Sequence, residues 1–196
     1  VLTDRDKVIR ESATKALRAC LRLIGDRDSR WRVKWYYKLY EVVQKGLSLG
    51  TSDNLHGCFL ATKELLENTG DFMVPRFGEV CNIAYKFKDH RDRLIRDTVV
   101  SIIPALATFS PDAFVHDYLN KFMDHLSEKM ARSSRRGIAY LAVGKVAIAV
   151  GRAFVPYLVR ITIIIIYKHT HTHIHIKYIL TINTHTHTHT RDRRCY

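Results

Sequence analysis

Apolar residues recur three and four positions apart along most of the chain, and Gly-, Ser- and Asp-containing breaks separate the runs. The first run, from about Asp4 to Ile24, sets Val8, Ile9, Ala13, Ala16, Leu17, Cys20, Leu21 and Ile24 on one helical face, with Thr3 or Asp4 as cap and Gly25 as stop. A second helix is predicted over about Trp31 to Lys45, with Trp35, Leu39, Val42 and Val43 inward and Gly46 ending it. After Gly50-Thr51-Ser52-Asp53, a third face is built by Leu55, Cys58, Phe59, Ala61, Thr62, Leu65 and Leu66. A fourth helix runs from about Pro75 or Arg76 to Phe87, with Phe77, Val80, Cys81, Ala84 and Tyr85 apolar. The fifth, about His90 to Phe109, carries Leu94, Ile95, Val99, Ile102, Ile103, Leu106 and Phe109 on its core face. Pro104 lies inside it, removes one backbone hydrogen bond and predicts a kink. Ser110-Pro111-Asp112 opens a sixth helix, because proline is tolerated in a first turn. A seventh, Ala- and Gly-rich, covers about Arg132 to Val150, and an eighth starts near Phe154.

The runs repeat one another. Lys7-Val8-Ile9-Arg10-Glu11-Ser12 matches Arg93-Leu94-Ile95-Arg96-Asp97-Thr98 in character at every position, 86 residues apart. Leu55 lies between them, and Arg135 opens another apolar run 40 residues past Ile95. A recurrence of 40 to 46 residues built from two helices predicts an all-α, α–α superhelix of the HEAT/armadillo type. Four pairs are expected, near 4–46, 52–87, 90–129 and 132–160. One such unit cannot bury its own apolar face, so units stack, and the exposed ridge becomes a binding surface.

Composition changes this picture little. The chain has 196 residues, 46% of them hydrophobic and 26% charged, which fits a packed, soluble surface. The net charge of +13 is spread out, with 27 basic against 18 acidic residues before residue 161. Short basic clusters at Arg27-Asp28-Ser29-Arg30-Trp31-Arg32 and Arg132-Ser133-Ser134-Arg135-Arg136 read first as solvated loops or helix ends, and second as contacts for phosphate or acidic partners. Cys20, Cys58, Cys81 and Cys195 show no zinc-finger spacing, and the first three sit in apolar runs, so buried free thiols in a reducing compartment are expected. No signal peptide and no initiator Met precede the first helix, so the chain reads as an internal piece of something longer.

After residue 160 the text changes. Ile161-Thr162-Ile163-Ile164-Ile165-Ile166 leads into Thr-His alternation at His169, His171, His173, His175, His185, His187 and His189. Alternate histidines on a strand could share Zn²⁺, Ni²⁺ or Cu²⁺. The β-branched content could favour aggregation. The favoured reading is a non-native low-complexity tail over 161–196, disordered or the translation of an alternating A/C repeat in DNA. The apolar run Ile161–Tyr167 is too short to span a membrane.

Catalytic constellations fail on inspection. His90-Arg91-Asp92 spells a kinase catalytic-loop tripeptide, but Asp97 stands where the metal-binding Asn belongs. Asp71-Phe72-Met73 precedes it and lacks the glycine of the metal-binding motif, and no glycine-rich phosphate loop occurs. His56, His116 and His125 lie on helices without a spaced partner and read as surface or groove histidines. No catalytic, cofactor-binding or metal residue is therefore assigned, and no cofactor is expected.

Ala19-Cys20-Leu21, Trp35-Tyr36, His56-Gly57 with Glu64-Leu65, and Phe77 with Val80-Cys81 occur in an order that resembles the amino-terminal HEAT region of target of rapamycin (TOR) kinases. The most specific piece is Ile103-Pro104-Ala105-Leu106-Ala107-Thr108-Phe109-Ser110-Pro111-Asp112-Ala113-Phe114. Tyr118-Leu119, Met123, His125-Leu126, Ala142-Val143-Gly144, Val146-Ala147 and Tyr157-Leu158 continue the likeness, which covers about residues 5–161. The resemblance implies a scaffold segment of a very large serine/threonine kinase in nutrient and growth signalling, with the catalytic domain, its ATP and its Mg²⁺ elsewhere. It implies protein partners: a raptor-like subunit, a TOR dimer partner and a small GTPase, in the cytoplasm or at endomembrane surfaces through those partners. Family members often carry a long insertion where Gly70-Asp71-Phe72-Met73-Val74-Pro75 bridges directly here. The alternative expectation is a basic helical-repeat module for nucleic acid or anionic surfaces.

Overall fold

The computed structural model describes residues 1–26, 30–132 and 136–166, and among them no strand occurs. Packing divides the chain into Val1–Phe154 and the part from Val155 onward. The first unit holds α1 (Lys7–Gly25), α2 (Arg30–Leu49), α3 (Ser52–Asn68), a 3₁₀ turn (Gly70–Arg76), α4 (Phe77–Lys86), α5 (Arg93–Phe109), α6 (Pro111–Asp117), α7 (Leu119–Arg132), α8 (Arg136–Val150) and a second 3₁₀ turn (Gly151–Phe154). This is the all-α repeat arrangement expected from the periodicity.

Local chemistry sets the helix starts. Asp6 caps α1 by accepting from the Val8 amide at 2.8 Å, and Asp92 caps α5 by accepting from Leu94 at 2.9 Å. Both caps lie two residues inside the predicted starts. Gly50 and Gly70 stand at φ +71° and +52°, where a side chain would be strained, and they let the chain leave α2 and α3. The helix α5 runs unbroken through Pro104, which is itself buried. The predicted sixth helix is two helices, α6 and α7, that meet at Tyr118.

The helices form two rows. The first runs α1, α3, α5, α8, each packed on the next. The second helix of each hairpin belongs to that row, and its partner lies outside it: α2 on α3, α4 on α5, α7 on α8. The pairing predicted near 4–46, 52–87, 90–129 and 132–160 is therefore shifted by one helix. An apolar face seen in sequence does not say which neighbour covers it, so either phase satisfied the periodicity. The core follows the first row: Leu55, Phe59, Leu65, Ile95, Val99, Ile102, Ile103, Leu106, Ala142 and Val146 are all buried.

Several predicted core positions are exposed instead. Val8, Ile9, Ala16 and Cys20 on α1, and Trp35 and Val42 on α2, face solvent, while Leu21, Tyr36, Val43 and Leu47 carry the burial. The expectation that Cys20 is a buried thiol is corrected accordingly; Cys58 and Cys81 are buried, and Cys195 lies outside the described residues.

In the second unit, residues 155–166 are helical. The predicted limit of helix near Ile161 is thus too early by at least one turn. Val155, Leu158, Val159, Ile163, Ile165 and Ile166 are exposed on it. The stretch Arg136–Ile166 is long and apolar enough to cross a membrane by length and composition alone. The Thr-His run, with the three readings of it, lies outside the described residues.

Candidate functional site

Polar side chains join successive repeats at a fixed offset. Arg10 is 1% exposed; its Nε donates to His56 Nδ1 at 3.0 Å, and its Nη1 donates to Asp53 Oδ1 at 2.7 Å, to the Arg5 carbonyl at 3.0 Å and to the Asp4 carbonyl. Arg18 grips Glu64 through two bonds, at 2.8 and 2.7 Å, and Arg22 donates to Asn68 at 3.3 Å. Arg10–His56, Arg18–Glu64 and Arg22–Asn68 are each 46 residues apart, so α1 and α3 run parallel and in register.

The next joints are spaced by 40. Tyr118 Oη donates to the Gly78 carbonyl at 3.3 Å, and Lys129 Nζ lies 3.6 Å from Asp89. Ser52 hydrogen-bonds Asp92, again 40 residues on, and with the Leu94 amide it holds the Asp92 carboxyl below its usual range. The two steps together make the 86-residue recurrence. At that distance the local devices repeat as well. The Asp6 and Asp92 caps correspond, as do the Lys7–Glu11 and Arg93–Asp97 ion pairs. Arg10 on the carbonyls of Asp4 and Arg5 matches Arg96 on those of His90 and Arg91.

Burial decides what the titratable groups can do. His56, expected at the surface or in a groove, is buried; burial first and the Arg10 charge second lower its pKa to about 4. Its ring is therefore neutral, which is the form that accepts from Arg10. His125 is also buried, its pKa lowered to about 4 by burial and then by Lys129, and neither ring nitrogen has a hydrogen-bond partner. His116 is exposed beside Asp117. Burial raises Cys58 to about 11 and Cys81 to about 12, so neither supplies a thiolate near neutral pH.

His90-Arg91-Asp92 is a helix start and no catalytic loop. His90 Nδ1 accepts from the Asp92 amide at 3.1 Å, and the Asp92 carboxylate is occupied with Leu94 and Ser52. Among the described residues no group of three His, Cys, Asp or Glu side chains could hold a metal ion.

What remains is surface. A groove of about 730 Å³ runs along α3, α5 and α8, lined by Lys63, Glu67, Ser101, Pro104, Lys145 and Ile148 among others. A second, of about 630 Å³, lies between α2 and the first 3₁₀ turn. There the Arg76 guanidinium sits 4.0 Å from the Phe72 ring centroid and 4.8 Å from that of Tyr37. Tyr40 Oη donates to Glu79 at 2.7 Å, and burial with that bond raises its pKa to about 12. The inter-repeat joints were missed in the sequence, although the 46-residue spacing of Arg10 and His56 is the signal that finds them.

No protein-family model matches the chain. Among curated proteins it is 43% identical over 162 residues to the serine/threonine-protein kinase TOR of Oryza sativa subsp. japonica, covering 82% of this chain and 7% of that protein. The serine/threonine-protein kinase TOR of Arabidopsis thaliana is 41% identical over 158 residues, 80% of this chain and 6% of the relative. The serine/threonine-protein kinase tor1 of Schizosaccharomyces pombe is 33% identical over 157 residues, 80% of this chain and 7% of the relative. The chain thus spans a small part of the length of each.

Proposed function

We propose that this chain, a segment of the TOR serine/threonine kinase family, is a non-catalytic scaffold that supports protein–protein assembly. The supporting observation is the register itself. Side chains from successive repeats meet at offsets of 46 and 40 residues, and this regularity fixes the spacing of surfaces that lie far apart in sequence. The partners that fit the family reading are a raptor-like subunit, a second TOR copy and a small GTPase, in the cytoplasm or at endomembrane surfaces. No cofactor enters this reading; ATP and Mg²⁺ belong to a kinase domain outside the matched segment.

The test is capture of a raptor-like protein by the purified chain across a salt series. Retention that survives raised ionic strength supports the scaffold. Retention on heparin or DNA that collapses with salt, with no protein capture, supports the basic-module alternative, because phosphate contacts release counterions. Phosphotransfer by the purified chain overturns the non-catalytic reading.

A further inference from the structure

The polar joints on one face of the first row stop at α5. Arg18 on α1 grips Glu64 on α3, and Arg22 donates to Asn68. The bond from Ser52 to Asp92 sets the next step of the register at 40 residues. Carried on by 40, Glu64 and Asn68 correspond to Pro104 and Thr108. Proline has no side-chain donor or acceptor, and Thr108 stands exposed. The side chains that bridge α1 and α3 thus have no equivalent on α5, and the groove of about 730 Å³ opens there. Both α3 and α5 have row neighbours on either side, so the opening belongs to the interior of the row.

The groove is apolar in its middle and charged on both sides. Ser101 turns its hydroxyl onto the Thr98 carbonyl at 2.7 Å, and with Pro104 and Ala105 it forms a floor of small groups. On the α3 side stand Glu67, which Lys63 meets at 3.8 Å, and Asp71, on the turn that follows. On the α8 side stands Lys145. Asp71 and Lys145 are exposed, and neither has an ion-pair partner among the described residues. Because α5 packs between α3 and α8, the two charges flank the floor from opposite sides. Neighbouring helices sit about 8–10 Å apart, so the groove crosses roughly 16–20 Å, the span of about five or six extended residues. Spread over that length, its volume leaves a section roughly 6 Å by 6 Å. That admits one extended strand, at about 5 Å, and excludes a helix, at about 10–12 Å.

We propose that this groove binds an extended segment of a partner protein, with a lysine or arginine that meets Asp71, a carboxylate that meets Lys145, and small apolar residues between them over Pro104 and Ala105. Glu67 and Asp71 on one wall repel a phosphate backbone, so the charge pattern selects a peptide over nucleic acid. The proposal names the kind of partner for the scaffold reading and rests on it in taking the surface to be for protein. The two fail separately. A raptor-like protein captured elsewhere on the chain is untouched by changes to the groove, and a groove that binds such a peptide stands whether or not that protein is captured.

The full chain is panned against a phage library of random dodecapeptides, and the enriched peptides are synthesised with a fluorophore and titrated by anisotropy. The expected consensus is a cation and a carboxylate about five or six positions apart with apolar residues between them. Lys145→Glu is expected to weaken binding about tenfold, because a like-charge contact replaces an attraction. Changing the peptide's carboxylate to lysine should weaken binding to the unaltered chain and restore it on the Lys145→Glu variant. Thr108→Trp fills the groove from an exposed position; it is expected to keep the helical circular dichroism and abolish binding. Lys38→Glu, exposed on α2, is expected to change nothing. Absence of the charge-swap rescue overturns the assignment of Lys145. An acidic consensus without an apolar centre, binding that survives Thr108→Trp, or no enrichment at all overturns the proposal. So does a dimer in sedimentation that Thr108→Trp dissociates, which assigns the groove to a second copy.

Discussion

The α1–α2 end and the α3–α5 centre are built from the same register, yet one is bare and the other buried. Ile9 and Ile95 occupy equivalent positions 86 residues apart; Ile9 is 41% exposed and Ile95 is 0% exposed. Both helices begin with an aspartate cap, the same i,i+4 ion pair and an arginine folded back on the preceding loop. Local sequence thus fixes the helix and its cap, while stability at each position is decided by what lies over it. In a repeat array burial belongs to neighbours, so the same apolar pattern is core in one repeat and surface in another.

The sharpest way to break this comparison is to cut the same side chain in both places. Ile95→Ala and Leu106→Ala each remove a fully buried side chain and are expected to cost about 2–5 kcal/mol. Ile9→Ala and Cys20→Ala, at the matching positions of α1, should stay within about 0.5 kcal/mol, as for open surface. Urea unfolding of the four variants checks this; equal losses at Ile9 and Ile95 would mean that α1 is already covered in solution.

The arginines sharpen the contrast in the other direction, because here the outer helix carries the stronger contact. Arg10 crosses to Asp53 and His56, whereas Arg96 bonds the His90 and Arg91 carbonyls of its own loop. Arg10→Met strands the buried His56 ring and two carbonyls and is expected to cost about 1–3 kcal/mol. Arg96→Met should cost about 1 kcal/mol or less, its lost carbonyl bonds being replaced in part by water. Hydrogen exchange along α1 is the finer readout: it should accelerate in the Arg10 variant and not in the Arg96 variant.

How much of this was legible follows from the same distinction. The 86-residue recurrence and the helix order could be read from the sequence, because apolar spacing acts within a few positions. The hairpin phase could not, since Leu55 or Ile9 looks equally apolar whichever helix covers it. The exposure of Trp35 and Cys20 was hidden for the same reason. His56 was read as a surface residue because Arg10, the group that makes its burial tolerable, is 46 positions away. His125 has no such partner to find.

Those two histidines define an acid test. Both have folded pKa values of about 4 against an ordinary 6.5, so the unfolded chain binds the extra proton. Stability from each is complete above pH 6.5 and is lost as pH falls toward 4. One such group costs about 2 kcal/mol by pH 5. His125→Leu is expected to remove its own share of that loss, making the stability profile between pH 6.5 and 5 shallower, and to keep stability at pH 7 because no hydrogen bond is given up. His56→Leu should flatten the same window yet lower stability at pH 7, because Arg10 loses its acceptor. Urea midpoints at the two pH values separate the outcomes, and a profile unchanged by His125→Leu would place its ring in contact with water.

The caps repeat the comparison within one helical turn. Asp6 accepts from Val8 alone, while Asp92 accepts from Leu94 and is also bonded by Ser52 from the preceding repeat. Asp6→Ala is expected to cost about 0.5 kcal/mol and Asp92→Ala about 1–2 kcal/mol, the lower and upper parts of the range for lost N-caps. The Asp92 carboxyl has a lowered pKa in the folded chain. Its contribution is therefore present above the ordinary carboxylate value and is lost as pH falls through the folded one, below the histidine window. Ser52→Ala isolates the inter-repeat share: it should narrow the gap between the two cap variants, because the bond that spans 40 residues is the one that Asp6 lacks. If Asp6→Ala and Asp92→Ala prove equal with Ser52 in place, capping is purely local, and the joint between α3 and α5 owes nothing to this pair.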